Sequence, residues 1–369
     1  MEVLHFMNTH KDWEQILTSY PYNIKVSRDG QYVLLKYQQF NSDLSIPIVR
    51  ECRGSIFYDN NGTYECVCRA FDKFGNYGES YAAEIDWDSA VVQEKIDGSL
   101  IKLYHHSDTW HIATNGTIDA FKANVGDFNL SFGDLVYKAL GGEEQFKLFC
   151  QHLDTDYTYM FELVSPMSRA TIYYADTKLY YLGQRDMTTM MESNEYQAFM
   201  EWFGVLKPKI YHLNSMDECL EYVSTMTRDE EGFVIVDGNF NRIKLKSPEY
   251  LLAFHMTNNG EVTTKRIVNM IKNEQIDDFL TYCPQYKDAV DDVMQSIACI
   301  ILEMTEESLF ALDFKELSKK EFAERIKDFK YKDWLFKLYD DCDIRIIDYF
   351  MQKPTSKIVE MIRGNKNGN

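Results

Sequence analysis

The sequence lacks three features that would place it in other classes of protein. Its eight cysteines form no Cys-x-x-Cys pair and stand at no spacing typical of zinc ligands, so neither a zinc site nor a disulfide framework is indicated. No stretch is long and apolar enough to span a bilayer. Charged residues such as Lys11 and Asp12 interrupt the N-terminal segment, which favours an amphipathic helix over a secretion signal. We therefore expect a reduced, soluble, cytoplasmic protein.

Positive charge is also scarce. The 369 residues carry a formal net charge of −19, which excludes a protein that coats nucleic acid by overall charge and leaves room only for a local basic groove. Residues 255–369 hold 17 basic and 21 acidic residues, a net of −4, so −15 lies before them. The length and the 45% share of hydrophobic residues suit two globular domains.

The residue patterns predict an α+β fold, with antiparallel sheets and flanking helices in residues 1–254 and an all-α domain in residues 255–369. A hairpin turn is predicted at residues 59–62, because Asp-Asn-Asn-Gly separates two strand-like runs. Further strands are predicted at residues 157–164 and 242–246. Helices are predicted at residues 192–204, 216–227, 263–273, 286–304, 316–339 and 343–351.

The segment 315–337 contains eight basic and five acidic residues with five interleaved aromatic residues. Such a segment is a candidate nucleic-acid face. An amphipathic helix with aromatic core contacts explains the same pattern, and we favour that interpretation.

A lysine motif, Lys95-Ile96-Asp97-Gly98, suggests covalent chemistry. An amine becomes a nucleophile only after it loses a proton, which burial and nearby cations promote. Asp97 could orient the lysine, and Gly98 would allow the backbone to approach a ligand. A simple turn between two strands is the alternative, and the motif alone is a weak signal.

Two other strands carry charge where apolar residues are expected. Glu162 interrupts an apolar strand, and a buried acid costs free energy unless it is paired or metal-bound, so a functional role is favoured. Lys244 and Lys246 alternate with apolar residues and so point to one face, after a strand that Glu231 opens. Lys244 and Lys246 would provide the cations that an activated lysine and a nucleotide phosphate require.

The ordered motifs resemble those of the covalent nucleotidyltransferases, the superfamily of ligases and capping enzymes, and most closely the phage-type ATP-dependent RNA ligase 1 family. The resemblance implies an adenylyltransferase (nucleotidyltransferase) domain in residues 1–254 and a helical domain for RNA specificity in residues 255–369. In chain order the motifs are Glu51-Cys52-Arg53-Gly54, Lys73-Phe74, Lys95-Ile96-Asp97-Gly98-Ser99, Phe161-Glu162-Leu163-Val164, Glu231-Gly232-Phe233-Val234 and Lys244-Leu245-Lys246.

The resemblance also implies a reaction. Lys95 would attack the α-phosphorus of ATP, expel pyrophosphate and form lysyl-AMP. The AMP would pass to an RNA 5′-phosphate, and an RNA 3′-hydroxyl would displace it. The expected partners are ATP and RNA ends, for example those of a nicked tRNA under repair. The protein itself is expected to be a monomer in the cytoplasm, that of the host cell if the protein is viral.

Individual roles follow from the same resemblance. Glu162 would bind the ribose hydroxyls, and Glu231 would hold Mg²⁺ or Mn²⁺. Lys244 and Lys246 would contact the α-phosphate. The remaining matches are Arg53 and Lys73 at the pyrophosphate end, and Phe74, Arg169 and Tyr250.

One position departs from the family pattern. Family members commonly carry a basic residue before the glycine of the hairpin that follows the nucleophile, whereas this chain has Asn115 before Gly116. A DNA ligase or a GTP-using capping enzyme is an alternative, although those proteins usually continue into a β-rich OB domain. A non-catalytic RNA-binding module with the same fold is another.

Overall fold

Three antiparallel sheets form the framework of the first part of the chain. The strand orders are β1-β2-β3-β4, β10-β9-β8-β6-β7 and β11-β5-β12-β13. The described strands are β1 (Lys25–Asp29), β2 (Tyr32–Lys36), β3 (Arg53–Asn60), β4 (Thr63–Cys68), β5 (Val91–Glu94), β6 (Ser99–His106), β7 (Thr109–Thr114), β8 (Tyr157–Val164), β9 (Lys178–Asp186), β10 (Glu192–Ser193), β11 (Ile210–Tyr211), β12 (Gly232–Val236) and β13 (Arg242–Lys246).

A computed structural model provides these coordinates. It describes residues 1–38, 41–126, 128–168, 171–251, 262–272, 276, 279–280, 286–314, 316–341 and 344–366. The chain divides into two compact units, Met1–Phe254 and His255–Asn369. The sheets lie in the first unit, and the described elements of the second unit are helical, which confirms the predicted α+β class.

Strand limits agree with the sequence patterns where local turn chemistry determines them. β8 and β13 have the predicted bounds. The predicted hairpin joins β3 to β4, and Asn61 and Gly62 adopt positive φ angles there. Asp59 Oδ1 accepts a hydrogen bond from the Gly62 N–H at 2.7 Å, which stabilises the turn.

Helices cover one face of each sheet in the first unit. Leu135 and Phe149 pack with Phe161 of β8, and Cys219 packs with Phe233 of β12. The helices are α1 (Glu2–Thr9), α2 (Trp13–Leu17), α3 (Pro47–Glu51), a 3₁₀ turn (Ala120–Lys122), α4 (Phe132–Leu140), α5 (Glu143–Cys150), α6 (Phe199–Trp202) and α7 (Met216–Val223).

The helix predicted at residues 192–204 is wrong. That segment begins with β10 and contains only the short helix α6. Glu192 is ion-paired with Arg185 of β9 and with Arg242 of β13, the latter at 2.6 Å, and both arginines are buried. The ion pair with Arg242, which is distant in sequence, draws residue 192 onto the sheet, so tertiary contacts override the helical pattern.

The second unit contains helices α8 (Thr264–Lys272), α9 (Lys287–Leu312), α10 (Lys319–Arg325), α11 (Lys332–Asp340), α12 (Ile346–Gln352) and α13 (Thr355–Lys366). The single helix predicted at residues 316–339 is therefore wrong, because a non-helical segment separates α10 from α11. The backbone N–H groups of Lys330 and Tyr331 donate to the Glu307 carboxylate in this break. That acid is supplied by α9, so local periodicity does not reveal the interruption.

The aromatic residues of segment 315–337 support the core interpretation over a nucleic-acid face. Phe322 and Trp334 are buried, and the Trp334 Nε1–H donates to Ser308 Oγ at 2.7 Å. Buried rings are not available for base stacking. The Lys319 amine is paired with Asp340. None of the described helices, in either unit, combines the length and apolar character needed to cross a membrane.

Candidate active site

The ends of three neighbouring strands bring the predicted nucleophile to one edge of a sheet. Lys95 directly follows β5, Glu231 directly precedes β12, and Lys246 ends β13. β12 pairs antiparallel with both other strands, and Gly232 is the register partner of Lys246. The Lys95 N–H also donates to the Gly232 carbonyl at 2.9 Å. Antiparallel pairing thus gathers three charged side chains that are remote in sequence.

Glu231 contacts two lysines at this edge. Its Oε2 lies 2.8 Å from Lys95 Nζ, and its Oε1 lies 3.2 Å from Lys246 Nζ. The Glu231 side chain is 3% exposed and that of Lys95 is 20% exposed. The carboxylate is therefore enclosed, whereas part of the Lys95 side chain remains accessible to solvent. The convergence of a second cation near Lys95 is the arrangement expected of an activated lysine.

Gly232 allows β12 and β13 to come this close. Its φ angle is +134°, and a Cβ atom there would lie 2.1 Å from the Leu245 carbonyl oxygen. Any side chain at this position would separate the strands that carry Glu231 and Lys246.

Asp97 anchors the segment that follows Lys95. Its Oδ2 accepts hydrogen bonds from the N–H groups of Thr171 at 2.8 Å and Ile172 at 2.7 Å, and its Oδ1 accepts from the Tyr250 hydroxyl at 3.1 Å. Burial, reinforced by the charge of Glu231, raises the pKa of Asp97. The contacts place Asp97 and Tyr250 together and tie the lysine segment to residues 171–172.

Glu162 lies on β8 in the neighbouring sheet, next to the lysine motif. Leu100 of β6 is its register partner, and a Cβ atom at Gly98 would lie 3.0 Å from Glu162 Cγ. The side chain keeps some solvent contact, yet the protein packed around it raises the pKa of Glu162 to about 7. Burial is the main cause, and the Lys95 amine partly opposes it. The Glu162 carboxyl beside Lys95 therefore titrates near neutral pH.

A second group of cations surrounds Phe74. The guanidinium carbon of Arg53 and the amine of Lys244 each lie 5.8 Å from the centroid of the Phe74 ring. The Lys73 amine lies 5.5 Å from the centroid of the Tyr37 ring. The predicted residues Arg53, Lys244 and Phe74 are thus neighbours. Sequence reasoning missed Tyr37, for which only its position at the end of an apolar strand was available as a signal.

Two further charged residues, Glu51 of the first motif and Arg69 after β4, serve the fold. Their side chains are buried and paired at 3.3 Å. Glu51 also accepts the Val3 N–H at the start of α1, at 2.8 Å. Tyr174, whose hydroxyl accepts the Asp97 N–H at 3.3 Å, was also missed. Arg169 lies outside the described residues.

The donor set at Glu231 fits a divalent metal ion that enters with a nucleotide. No three His, Cys, Asp or Glu side chains of the described residues are arranged to hold a metal by themselves. Mg²⁺ usually binds through one or two carboxylates, with phosphate oxygens and waters completing its shell. A single enclosed carboxylate beside two lysines meets that requirement only when phosphates are present.

Comparison with known proteins decides the family. The sequence profile of a family described as RNA ligase matches residues 51–250, which include the lysine motif, Glu162, Glu231 and both lysines of β13. The chain belongs to the RNA ligase family. This confirms the resemblance that the ordered motifs indicate.

Relatives of this RNA ligase family member include two viral proteins. A protein of Autographa californica nuclear polyhedrosis virus, provisionally named a bifunctional polynucleotide kinase/RNA ligase, is 34% identical over 283 residues. The match covers 72% of this chain but only 40% of that protein. The RNA ligase of Rhodothermus phage RM378 is 24% identical, with 84% of each chain covered. Among solved structures, an archaeal ATP-dependent RNA ligase aligns over 80% of this chain and 76% of its own with 12% identity and a TM-score of 0.47.

Proposed function

We propose that the protein is an ATP-dependent RNA ligase that joins an RNA 3′-hydroxyl to an RNA 5′-phosphate through a lysyl-AMP intermediate on Lys95. The observation that carries the proposal is the pair of contacts at Glu231. One carboxylate holds the Lys95 amine at 2.8 Å and the Lys246 amine at 3.2 Å, within the matched family region.

In the first step, a bond forms between Lys95 Nζ and the α-phosphorus of ATP as the bond to the pyrophosphate oxygen breaks. In the structure Lys95 is ion-paired with Glu231, and an ammonium group has no lone pair with which to attack phosphorus. Glu231 must therefore exchange Lys95 for another cation, and Lys95 must lose a proton to solvent, before the amine attacks. Mg²⁺ or Mn²⁺ held by Glu231 would supply that cation and neutralise phosphate charge.

The surrounding residues have roles that match their positions. Lys244 and Lys246 stabilise the charge that develops on the α-phosphate oxygens. Glu162, which packs closely against Gly98, accepts hydrogen bonds from the ribose hydroxyls. The pyrophosphate end is bound by Arg53 and Lys73.

In the later steps, AMP moves from Lys95 to the RNA 5′-phosphate, and the RNA 3′-hydroxyl then displaces AMP to form the phosphodiester.

We assign RNA selection to residues 255–369. A tRNA with a broken strand is the proposed substrate, and the enzyme is proposed to act as a monomer in the cytoplasm, that of the host cell if it is viral. Sealing of a nicked tRNA compared with an unstructured RNA of equal length tests the substrate assignment.

The first experiment is incubation with α-labelled ATP or GTP and Mg²⁺, followed by a denaturing gel. Lys95→Ala and Lys95→Arg are run beside it, because Arg keeps the positive charge but cannot serve as the nucleophile. Lys122→Ala is a matched control on an exposed lysine that pairs with Asp29. Label from ATP on the wild type and the control alone supports the proposal.

The alternatives give different results in the same experiment. Label from GTP only would assign the protein to the capping branch. No label from either nucleotide would favour a non-catalytic RNA-binding module. A labelled enzyme that joins 5′-phosphorylated DNA but not RNA would make it a DNA ligase.

A further inference from the structure

The turn that follows β7 has Asn115 at the position where family members commonly carry a basic residue. The backbone of Asn115 lies against Gly54, where a Cβ atom would stand 2.5 Å from the Asn115 carbonyl oxygen. Gly54 directly follows Arg53, which belongs to the proposed pyrophosphate end. The Asn115 position thus borders the phosphate-binding residues, and its amide side chain is neutral.

Lys36 reaches the same turn from a different strand. It ends β2, and Arg53 is its register partner on β3. Its amine lies 3.5 Å from the point that a Cβ atom of Gly116 would occupy. Lys36 therefore places a positive charge beside the residue that follows Asn115.

Two other cations accompany Lys36 there. Arg53 is one, and the fully buried Lys102 of β6 is the other, with its amine donating a hydrogen bond to the Gly54 carbonyl oxygen. Burial lowers the pKa of Lys102, and the charges of Arg53 and Lys36 lower it further, so the three groups interact electrostatically. A convergence of like charges next to a nucleotide site favours the binding of an anion.

The neighbour of Lys36 extends this group towards the rest of the site. Tyr37 is buried, and the Lys73 amine lies near its ring. The positive charge of Arg53 also lowers the pKa of Glu162, against the dominant effect of burial, so Arg53 is close enough to Glu162 to interact with it electrostatically. Lys36 is thus connected through Arg53 to the residues around Lys95.

We propose that Lys36 supplies the phosphate contact that position 115 does not provide in this chain. The ligand is a phosphate group, and the neighbouring Arg53 and Lys73 favour the β- and γ-phosphates of ATP over the 5′-phosphate of RNA. The inference rests on the proposed function, because it assigns a residue to the same nucleotide site.

The test compares self-adenylylation across ATP concentrations for the wild type, Lys36→Met, Lys36→Arg and the double variant Lys36→Met/Asn115→Lys. Met keeps the length of the side chain and removes the charge. Loss of one charged contact to phosphate predicts about a tenfold rise in the ATP concentration for half-maximal rate, with a nearly unchanged saturating rate. Lys36→Arg and the double variant should restore the wild-type value, because they return a cation to this place. Lys122→Met is the control for loss of an exposed lysine.

Two further arms identify the source of the phosphate. Enzyme adenylylated beforehand is mixed with 5′-phosphorylated RNA to measure AMP transfer, and RNA that already carries AMP is used to measure sealing alone. A variant that only needs more ATP for its half-maximal rate supports a contact between Lys36 and the ATP phosphates. A variant that is slower only in AMP transfer supports a contact between Lys36 and the RNA phosphate.

Wild-type behaviour of Lys36→Met in every arm overturns the inference, as does a lower saturating rate that neither Arg nor the relocated lysine restores. Absence of label on the wild-type enzyme would instead refute the proposed function itself, so the two failures are distinguishable.

Discussion

Glu231 joins Lys95, the proposed nucleophile, to Lys246 of β13: its two carboxylate oxygens contact the Lys95 amine at 2.8 Å and the Lys246 amine at 3.2 Å. The acid is nearly inaccessible to solvent, so both contacts lie where water screens them weakly. Removal of the acid would leave two lysines facing each other, and removal of one lysine would leave a buried carboxylate with a single partner. The effects of replacing Glu231 and Lys246 on the free energy of unfolding should therefore not be additive.

A double-mutant cycle measures this coupling. Glu231→Gln, Lys246→Met and the double variant are unfolded with urea. We expect a coupling free energy of about 1–3 kcal/mol, as found for neighbours in one buried network. Lys357 and Glu360 form the matched control, since they stand at the same 3.2 Å but are exposed. Exposed pairs contribute at most about 0.5–1 kcal/mol, and an equal coupling in the two pairs would contradict the assigned importance of Glu231.

The raised pKa of Glu162 makes stability depend on pH. Folding raises this pKa from its ordinary value to about 7, so the folded state holds a proton that the unfolded state has released between those values. The contribution to stability is present at low pH and is lost as pH rises to about 7. Glu162→Gln cannot ionise and should gain on the order of 2 kcal/mol relative to the wild type between pH 5 and pH 8.

The measurement is the free energy of unfolding of both proteins in urea at several pH values. Glu65, exposed on β4, provides the control variant Glu65→Gln. A constant difference between Glu162→Gln and the wild type across this pH range would show that Glu162 ionises normally in the folded protein.

Gly98 is required for the close approach of the lysine motif to β8. A Cβ atom there would lie 2.4 Å from the Leu163 carbonyl oxygen, and a strand backbone cannot move aside cheaply. Gly98→Ala should lower the free energy of unfolding by about 1–3 kcal/mol and reduce self-adenylylation, because Glu162 and Lys95 would shift apart.

The control for Gly98→Ala is Gly364→Ala in α13, where nothing lies within 4 Å of the added carbon. Alanine there should be neutral or stabilise the helix by about 0.5–1 kcal/mol. Thermal unfolding and adenylylation are measured for both variants. A Gly98→Ala protein with wild-type activity would refute the tight placement of the motif.

Asp97 is predicted to act through the backbone that it holds. Asp97→Asn retains an acceptor for the N–H groups of Thr171 and Ile172, and its amide can donate to the Tyr250 hydroxyl. Asp97→Ala leaves these buried groups unsatisfied, at about 1–3 kcal/mol for each one. The alanine variant should therefore be much less stable than the asparagine variant in urea.

Asp43→Ala is the matched control for Asp97→Ala. The Asp43 side chain accepts two hydrogen bonds where Asp97 accepts three; they come from the N–H and hydroxyl of Ser45, and Asp43 is exposed. Its loss should change stability by no more than about 0.5 kcal/mol, because water replaces the bonds. Equal losses for the Asn and Ala variants at position 97 would show that its hydrogen bonds are unimportant.

Features that depend on neighbouring residues could be predicted from the sequence. A run of apolar residues indicated β8, alternation of charged and apolar residues indicated β13, turn chemistry indicated the hairpin at Asn61 and Gly62, and the ordered motifs indicated the family. The residue types of the site were also readable, because charged side chains in apolar strands have few structural explanations.

Contacts between these residues follow from the three-dimensional fold. Glu231 reaches Lys95 because β12 pairs with β5, and Glu192 lies on a sheet because two buried arginines pair with it. Lys36 adjoins Gly116 across two sheets, a proximity that no local pattern encodes. Periodicity reports the face that a residue occupies, whereas contact between distant segments depends on the pairing and packing of the whole unit.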